Sequence, residues 1–376
     1  MQKNIGNVFV WPLCTRIIHW IIAISFLASF TSSFFHDEFI YHIAFGYVFG
    51  IVLTFRIIWG FIGPQYATFN TFMFQASSLK HYFQEKVRDR WRKIHPGHNP
   101  ASSWFTLIVL SLGYAIVLGG ILLYGVQEGN GPVRFLNPSY FHYSNFLLYI
   151  HRYMSYILFI WALIHIVGVL IEQFYHRTNM VCAMITGYKR CVGVNTQISA
   201  LRNSVAYGVI VFVVFSFYFI VSQPENTLTQ SRFEPIDFEK ENPAFYEKCG
   251  NCHKNYPPYM LPKESWVKLF DGLENHFGEK ITENNISKEM QVSIKSYVLA
   301  NSAEYSSRKI SFKTLESLGE MRPLSITKSP YWREVHHPIS NETFKSTLIK
   351  NKSNCFACHH GFEKGIFDIT FIHVPK

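Results

Sequence analysis

Five apolar runs fill most of the chain up to Ser222, and they limit its fold more than any other feature. They are approximately Ile17–Phe35, Ile40–Gly63, Trp104–Tyr124, Tyr143–Ile171 and Val205–Ser222. A helix of roughly 20 residues spans about 30 Å of hydrocarbon. Lipid offers no partner for backbone N–H and C=O groups, so such runs must be helices. No A-x-A-like site follows the first run, which therefore reads as a signal anchor. The mean hydropathy of +0.07 is too low for a chain embedded throughout. Hydrophobic residues at 48% and aromatics at 17% exclude a disordered chain. A membrane part followed by a polar part satisfies both.

Charge divides the same way. Up to Gln223 there are 15 Lys and Arg against 6 Asp and Glu, a net +9; from Pro224 onward 20 stand against 19, a net +1. A nucleic-acid binder would concentrate its charge on the polar part. Here the excess sits in short loops. Lys80, Lys86, Arg88, Arg90, Arg92 and Lys93 lie between runs two and three, and Arg177, Lys189, Arg190 and Arg202 between runs four and five. The loop at Asp37 and Glu38 has no basic residue, and Gly125–His142 has only Arg134. The positive-inside rule places the N-terminus in the cytoplasm and Pro224–Lys376 outside, as in a bacterial periplasm. Cys14, Cys182 and Cys191 then face the reducing side as free thiols.

The other four cysteines form Cys249-Gly-Asn-Cys252-His253 and Cys355-Phe-Ala-Cys358-His359. C-x-x-C-H attaches c-type haem: both thiols become thioethers, and the following His binds iron. One such motif also fits a redox dithiol or zinc pair; two in an external domain point to haem. His or Met can fill the sixth position. The candidates are His276, His336, His337, His360 and His373, with Met260 and Met290 as alternatives; His360 and His373 read as surface histidines. From Tyr246 to Lys376 the chain resembles the dihaem cytochrome c family. The resemblance rests on the two motifs, Tyr256-Pro-Pro-Tyr-Met-Leu-Pro, Ser265-Trp, His276-Phe-Gly and the close Gly365-Ile-Phe-Asp to Val-Pro375. It implies an electron carrier with two bis-histidine haems and His276 and His336 as distal ligands, without fixing which haem each serves.

Four histidines fall within the apolar runs: His19, His42, His151 and His165. Ionisable groups at membrane depth default to a functional reading. His151 and His165 are 14 residues apart, about four turns, so they share a face roughly 21 Å apart along the axis. That spacing suits two stacked haems, with depth pairing His19 with His165 and His42 with His151. Gly46 and Gly50 follow His42 on one face. They suit a flat porphyrin; close helix packing is the alternative. Arg56 and Arg152 are candidates for haem propionates; snorkelling to headgroups is the alternative. His98 and Asn99 open run three, where a helix-start role for Asn99-Pro100 is preferred to a quinone contact.

Val8–Gly193 resembles the bacterial cytochrome b561 family and the related b-type cytochrome subunit of nickel hydrogenases. Carrying residues are Trp11-Pro, Arg16-Ile-Ile-His19-Trp, His42 with Gly46, Arg56, Trp59-Gly and Gly63, Gly97-His-Asn-Pro100, His151, His165 and Met184-Ile-Thr-Gly-Tyr-Lys-Arg190. The resemblance implies a four-helix bundle with two haems b on those four histidines, exchanging electrons with quinone; the fifth run resembles a tether.

The expected fold is therefore all-α. An integral-membrane bundle covers residues 1–200, a fifth helix and linker 201–245, and a periplasmic, loop-rich dihaem domain 246–376. The expected cofactors are two haems b and two covalent haems c. The expected partners are lipid, the quinone pool and a periplasmic redox protein, with no nucleic acid and with an oligomer allowed. Electrons are expected to pass from quinol to a periplasmic acceptor in the bacterial inner membrane, with the reverse direction open. The alternatives are a superoxide-to-quinone oxidoreductase, a membrane subunit of a hydrogenase-like complex, and a haem-based sensor or transporter. No catalytic residue is assigned.

Overall fold

The computed structural model describes residues 6–35, 39–88, 96–176, 178–223, 225–281, 286–367 and 372–375, without the side chains of 85–88. Asp37, Glu38, Arg90, Arg92, Lys93, Arg177 and Pro224, used above for topology, lie outside them. Two compact units result, and they do not follow chain order. One comprises Met1–Ile121 and Phe146–Asn226; the other comprises Leu122–Asn145 and Thr227–Lys376.

Among the described residues, five helices centred on the first unit are long and apolar enough to cross a membrane. Their regular parts are α1 (Leu13–Ser32), α2 (Phe39–Ile62), α4 (Pro100–Leu123), α5 (Ser144–Leu170) and α6 (Ala200–Ser222), with the polar α3 (Ala76–Arg88) between α2 and α4. Start signals are local. Asn99 accepts from the Ser102 N–H at 2.8 Å, directly before Pro100, and Ser199 accepts from the Arg202 N–H. Hydroxyls inside the spans return to their own helix, as Ser25 to the Ile21 carbonyl and Thr54 to that of Gly50, which spares them an unsatisfied state in lipid. On α5, Tyr149, Ile157, Ile160, Ile164 and Val167 are exposed, a surface that only an apolar solvent tolerates in such density.

The fifth helix does more than tether. Ala206, Val209 and Val213 of α6 bury themselves against Cys14 and Ile18 of α1 and Val48, Val52 and Trp59 of α2. A second core joins Phe49 and Leu53 of α2 to Leu110 and Ile116 of α4 and Leu158 of α5. One end of the bundle is closed by an antiparallel pair, β1 (Gly6–Phe9) with β2 (Tyr188–Cys191), in register Gly6 to Cys191 and Phe9 to Tyr188.

The second unit is built from short helices: α7 (Lys263–Asp271), α8 (Lys288–Ala300), α9 (Lys309–Leu318) and α10 (Pro330–His336). Its core gathers Tyr259, Met260 and Leu261 with Ile326, Cys355 and Phe362. The segment between α4 and α5 folds into this unit. Asn137 is fully buried there; its amide donates to the carbonyls of Val126 (2.8 Å) and Ser307 (3.0 Å) and accepts from Arg232 Nη1 (2.9 Å) and Ser307 Oγ (2.6 Å).

Candidate haem-binding sites

Four histidine pairs stand out. Ring centroids are 6.3 Å apart for His19 and His165, 6.1 Å for His42 and His151, 6.4 Å for His253 and His276, and 6.1 Å for His336 and His359. No pair is in direct hydrogen-bonding contact; each leaves a gap. Metal–imidazole bonds of about 2 Å, as at zinc, put the centroids of two opposed rings roughly 6 Å apart with one metal ion between them. The spacing therefore fits one iron per pair. It also associates each C-x-x-C-H histidine with one distal residue: His253 with His276, and His359 with His336.

The surroundings fix which nitrogen points into the gap. Nδ1 of His42 lies 2.8 Å from the Ser29 carbonyl, and Nδ1 of His151 lies 3.1 Å from that of Ile116. Nδ1 of His253 meets the Lys254 carbonyl and Nδ1 of His336 the Trp332 carbonyl, both at 2.8 Å. A carbonyl on Nδ1 holds the proton there and leaves Nε2 as the metal-binding atom. The Trp332 ring also stacks on His336 at 4.3 Å, and the Phe105 ring on His165 at 4.4 Å. Gly120 lies against His151: a Cβ there would come within 2.9 Å of its ring. None of these supporting residues carries a sequence signal by itself, though Trp332 is one helical turn before His336.

In the second unit the ligands sit on turns. His276 pairs with Glu279 across a two-residue turn in which Phe277 (φ +55°) and Gly278 (φ +99°) are left-handed. A non-glycine residue in that region is strained, which marks a position the surroundings hold firmly. Burial pushes His359 down to about 4, helped by His336 and His360, and lowers His276 and His336. All three are thus neutral near pH 7, the form that ligates metal. Burial also raises the Cys249 thiol to about 11 and the Cys355 thiol to about 12. Cys355 and Cys358 are buried, whereas Cys252 and His253 are exposed. Among the described residues no three His, Cys, Asp or Glu side chains converge into a metal cage. Met260 belongs to the core, and His337, His360 and His373 are exposed.

Arg56 fits a carboxylate ligand. Its side chain is 8% exposed, it faces the rings of Phe69 and Phe72, and Nη1 has no hydrogen-bond partner. A buried guanidinium left in this state is costly unless an anion joins it, and a haem propionate supplies one. Arg152 is exposed. Gly50 meets Val117 of α4, where a Cβ would approach to 2.8 Å, so it serves helix packing; Gly46 meets only Ser29 Oγ, at 3.6 Å. His98 is packed against Trp11 and Phe72, with Nδ1 on the Tyr66 carbonyl at 3.2 Å.

Comparison with known proteins covers both parts. The family described as prokaryotic cytochrome b561 matches residues 10–187, and that described as dihaem cytochrome c matches residues 245–367. A probable Ni/Fe-hydrogenase B-type cytochrome subunit of Rhodobacter capsulatus is 26% identical over 216 residues, covering 49% of this chain and 81% of the relative. A diheme cytochrome c from Rhodobacter sphaeroides is 30% identical, covering 36% of this chain and all of that one, at a TM-score of 0.31. One from Shewanella baltica OS155 is 25% identical, covering 36% and 94%, at a TM-score of 0.29.

Proposed function

This chain belongs to the prokaryotic cytochrome b561 family over residues 10–187 and to the dihaem cytochrome c family over residues 245–367, and on that premise we propose that it is a four-haem transmembrane electron conductor. His19 with His165 and His42 with His151 hold two haems b. Cys249, Cys252, His253 and His276 hold one haem c, and Cys355, Cys358, His359 and His336 the other. Arg56 holds a propionate. The bound haems supply reversible one-electron storage; the protein supplies ligands, spacing and electrostatics. The carbonyls of Ser29, Ile116, Lys254 and Trp332 fix the tautomers of their histidines. With both axial positions filled by His, no iron is left open to a gas, which disfavours a sensor. The chain exchanges electrons between the quinone pool and a periplasmic redox protein. It lies in the inner membrane, with a cytoplasmic N-terminus and residues 224–376 outside.

The observation that carries this reading is the set of four histidine pairs, all spaced for one iron. A pyridine haemochrome spectrum of the purified chain tests it. Haem b and haem c are expected in equal amounts, and a ratio far from one to one rejects the assignment. A second reading draws on the Rhodobacter capsulatus relative: the chain is then the membrane subunit of a larger respiratory complex. Stoichiometric co-purification of an iron–sulfur partner from the native membrane would select it.

A further inference from the structure

We propose that Arg56 and the carbonyls facing His42 and His151 order the two haem b potentials, so that the His19–His165 site holds its electron more strongly than the His42–His151 site. The inference rests on the haem assignment above. Hydrogen bonds to the axial ligands and nearby charge are levers by which a protein sets haem potential. At the His42–His151 site both rings donate Nδ1–H to a backbone carbonyl, at 2.8 and 3.1 Å. Such a bond makes imidazole a more basic ligand, and a more basic ligand favours ferric iron. At the other site Nδ1 of His19 is buried with no hydrogen-bond partner, and His165 carries the face of Phe105. Those ligands gain no such basicity.

Arg56 pushes in the same direction. It stands 14 residues after His42 on α2, about 21 Å along the helix. Trp59, one turn further, donates from Nε1 to Thr15 Oγ1 at 2.9 Å, and Thr15 is one turn before His19 on α1. That bond sets the Arg56 end of α2 level with His19. A cation in surroundings this apolar is little screened. It offsets the propionate charge and stabilises the ferrous state, which carries one positive charge fewer. For one electron, transfer from the His42–His151 site to the His19–His165 site is then downhill.

The test is a potentiometric titration of the full chain, following the haem b absorption bands separately from those of haem c. Two haem b transitions are expected. Arg56→Gln should lower the upper one and leave the lower one in place, while Arg56→Lys should keep both near wild type. His165→Ala, which strips its own site, should leave the lower transition alone. The proposal is overturned if Arg56→Gln moves the lower transition or neither, or if the transition surviving in His165→Ala is the upper one. Should Arg56→Gln lose haem, the His165→Ala titration decides. Failure of the underlying assignment would look different: the haemochrome ratio of the wild-type chain would then be far from one to one.

Discussion

On the proposed assignment the bundle and the C-terminal unit solve one problem, holding iron between two imidazoles, with opposite means. In the bundle all four histidines stand on long helices, α1, α2 and α5, and a haem there would be retained without a covalent bond, by ligation, packing and the Arg56 guanidinium. In the C-terminal unit the histidines stand on a two-residue turn, at the end of a seven-residue helix and after two cysteine motifs. Thioether bonds from the two cysteine motifs would retain the haem there whether or not the distal ligand is present. The comparison teaches that long elements can place ligands without covalent help. On short, loop-borne elements covalent attachment takes over the retention of the group.

The most direct way to break this contrast is to remove one ligand from each kind of site. His42→Ala should lose one of two haems b, moving the b-to-c ratio from one to one towards one to two. His276→Ala should keep its full haem c content and change only the ligation, seen as a shifted Soret band and new carbon monoxide binding. If both variants lose haem, covalent attachment is not what distinguishes the sites.

The next effect concerns folding. Leu122–Asn145 leaves the bundle and completes the C-terminal unit through Asn137. Asn137→Ala removes four hydrogen bonds and leaves the buried Val126 carbonyl without its donor, while half-buried Arg232 and Ser307 keep their bond to each other. A loss of about 2–3 kcal/mol is expected, since a buried polar group without its partner costs roughly 1–3 kcal/mol. Thermal unfolding followed at the haem c Soret band should show it, while the haem b signal should not move. Equal destabilisation of both signals would mean that the two units unfold together.

Much of the bundle was legible because its signals are periodic. Run length gave the spans, and the 14-residue spacing of His151 and His165 gave two levels on one face. The cysteine motifs were legible because attachment chemistry demands a fixed local spacing. What was not legible depends on contacts distant in sequence. Asn137 reads as an ordinary loop residue, and its partners lie 95 and 170 residues away. Ser29 and Ile116 act through their carbonyls, which every residue type possesses. Gly50 shows the limit of a face argument, because its place beside His42 on the helical wheel did not reveal Val117 opposite. The packed role of α6 was hidden likewise, because an apolar helix reads the same facing lipid or protein.

Within the bundle, Thr15→Val keeps the side chain's shape and deletes the buried bond that Trp59 Nε1 of α2 donates to Thr15 Oγ1 of α1. A loss of about 1 kcal/mol is expected, the usual net worth of such a bond. It should appear in the haem b signal and leave haem c untouched, reversing the pattern of Asn137→Ala. An effect on haem c alone would contradict the division into units.

The smallest effect is electrostatic and sharpens the contrast on the C-terminal side. The Glu316 carboxylate accepts from the Asn145 amide at 2.5 Å and meets Lys313 Nζ at 3.3 Å. These contacts, the Asn145 bond foremost, hold its carboxyl below the ordinary range. A group whose folded pKa is depressed adds stability above its unfolded value, about 4.3 for Glu. That stability is lost as pH falls through the folded value, because proton uptake then favours the unfolded chain. The side chain is 46% exposed, so solvent screens the interaction and the contribution is small. Glu316→Gln should therefore lower the unfolding midpoint of the haem c signal slightly at pH 7, and the difference from wild type should shrink steadily between about pH 5 and pH 3. A difference that stays constant across this range would assign the effect to the shape of the side chain and not to its charge. A difference that grows on acidification would mean that folding raises the Glu316 pKa and does not lower it.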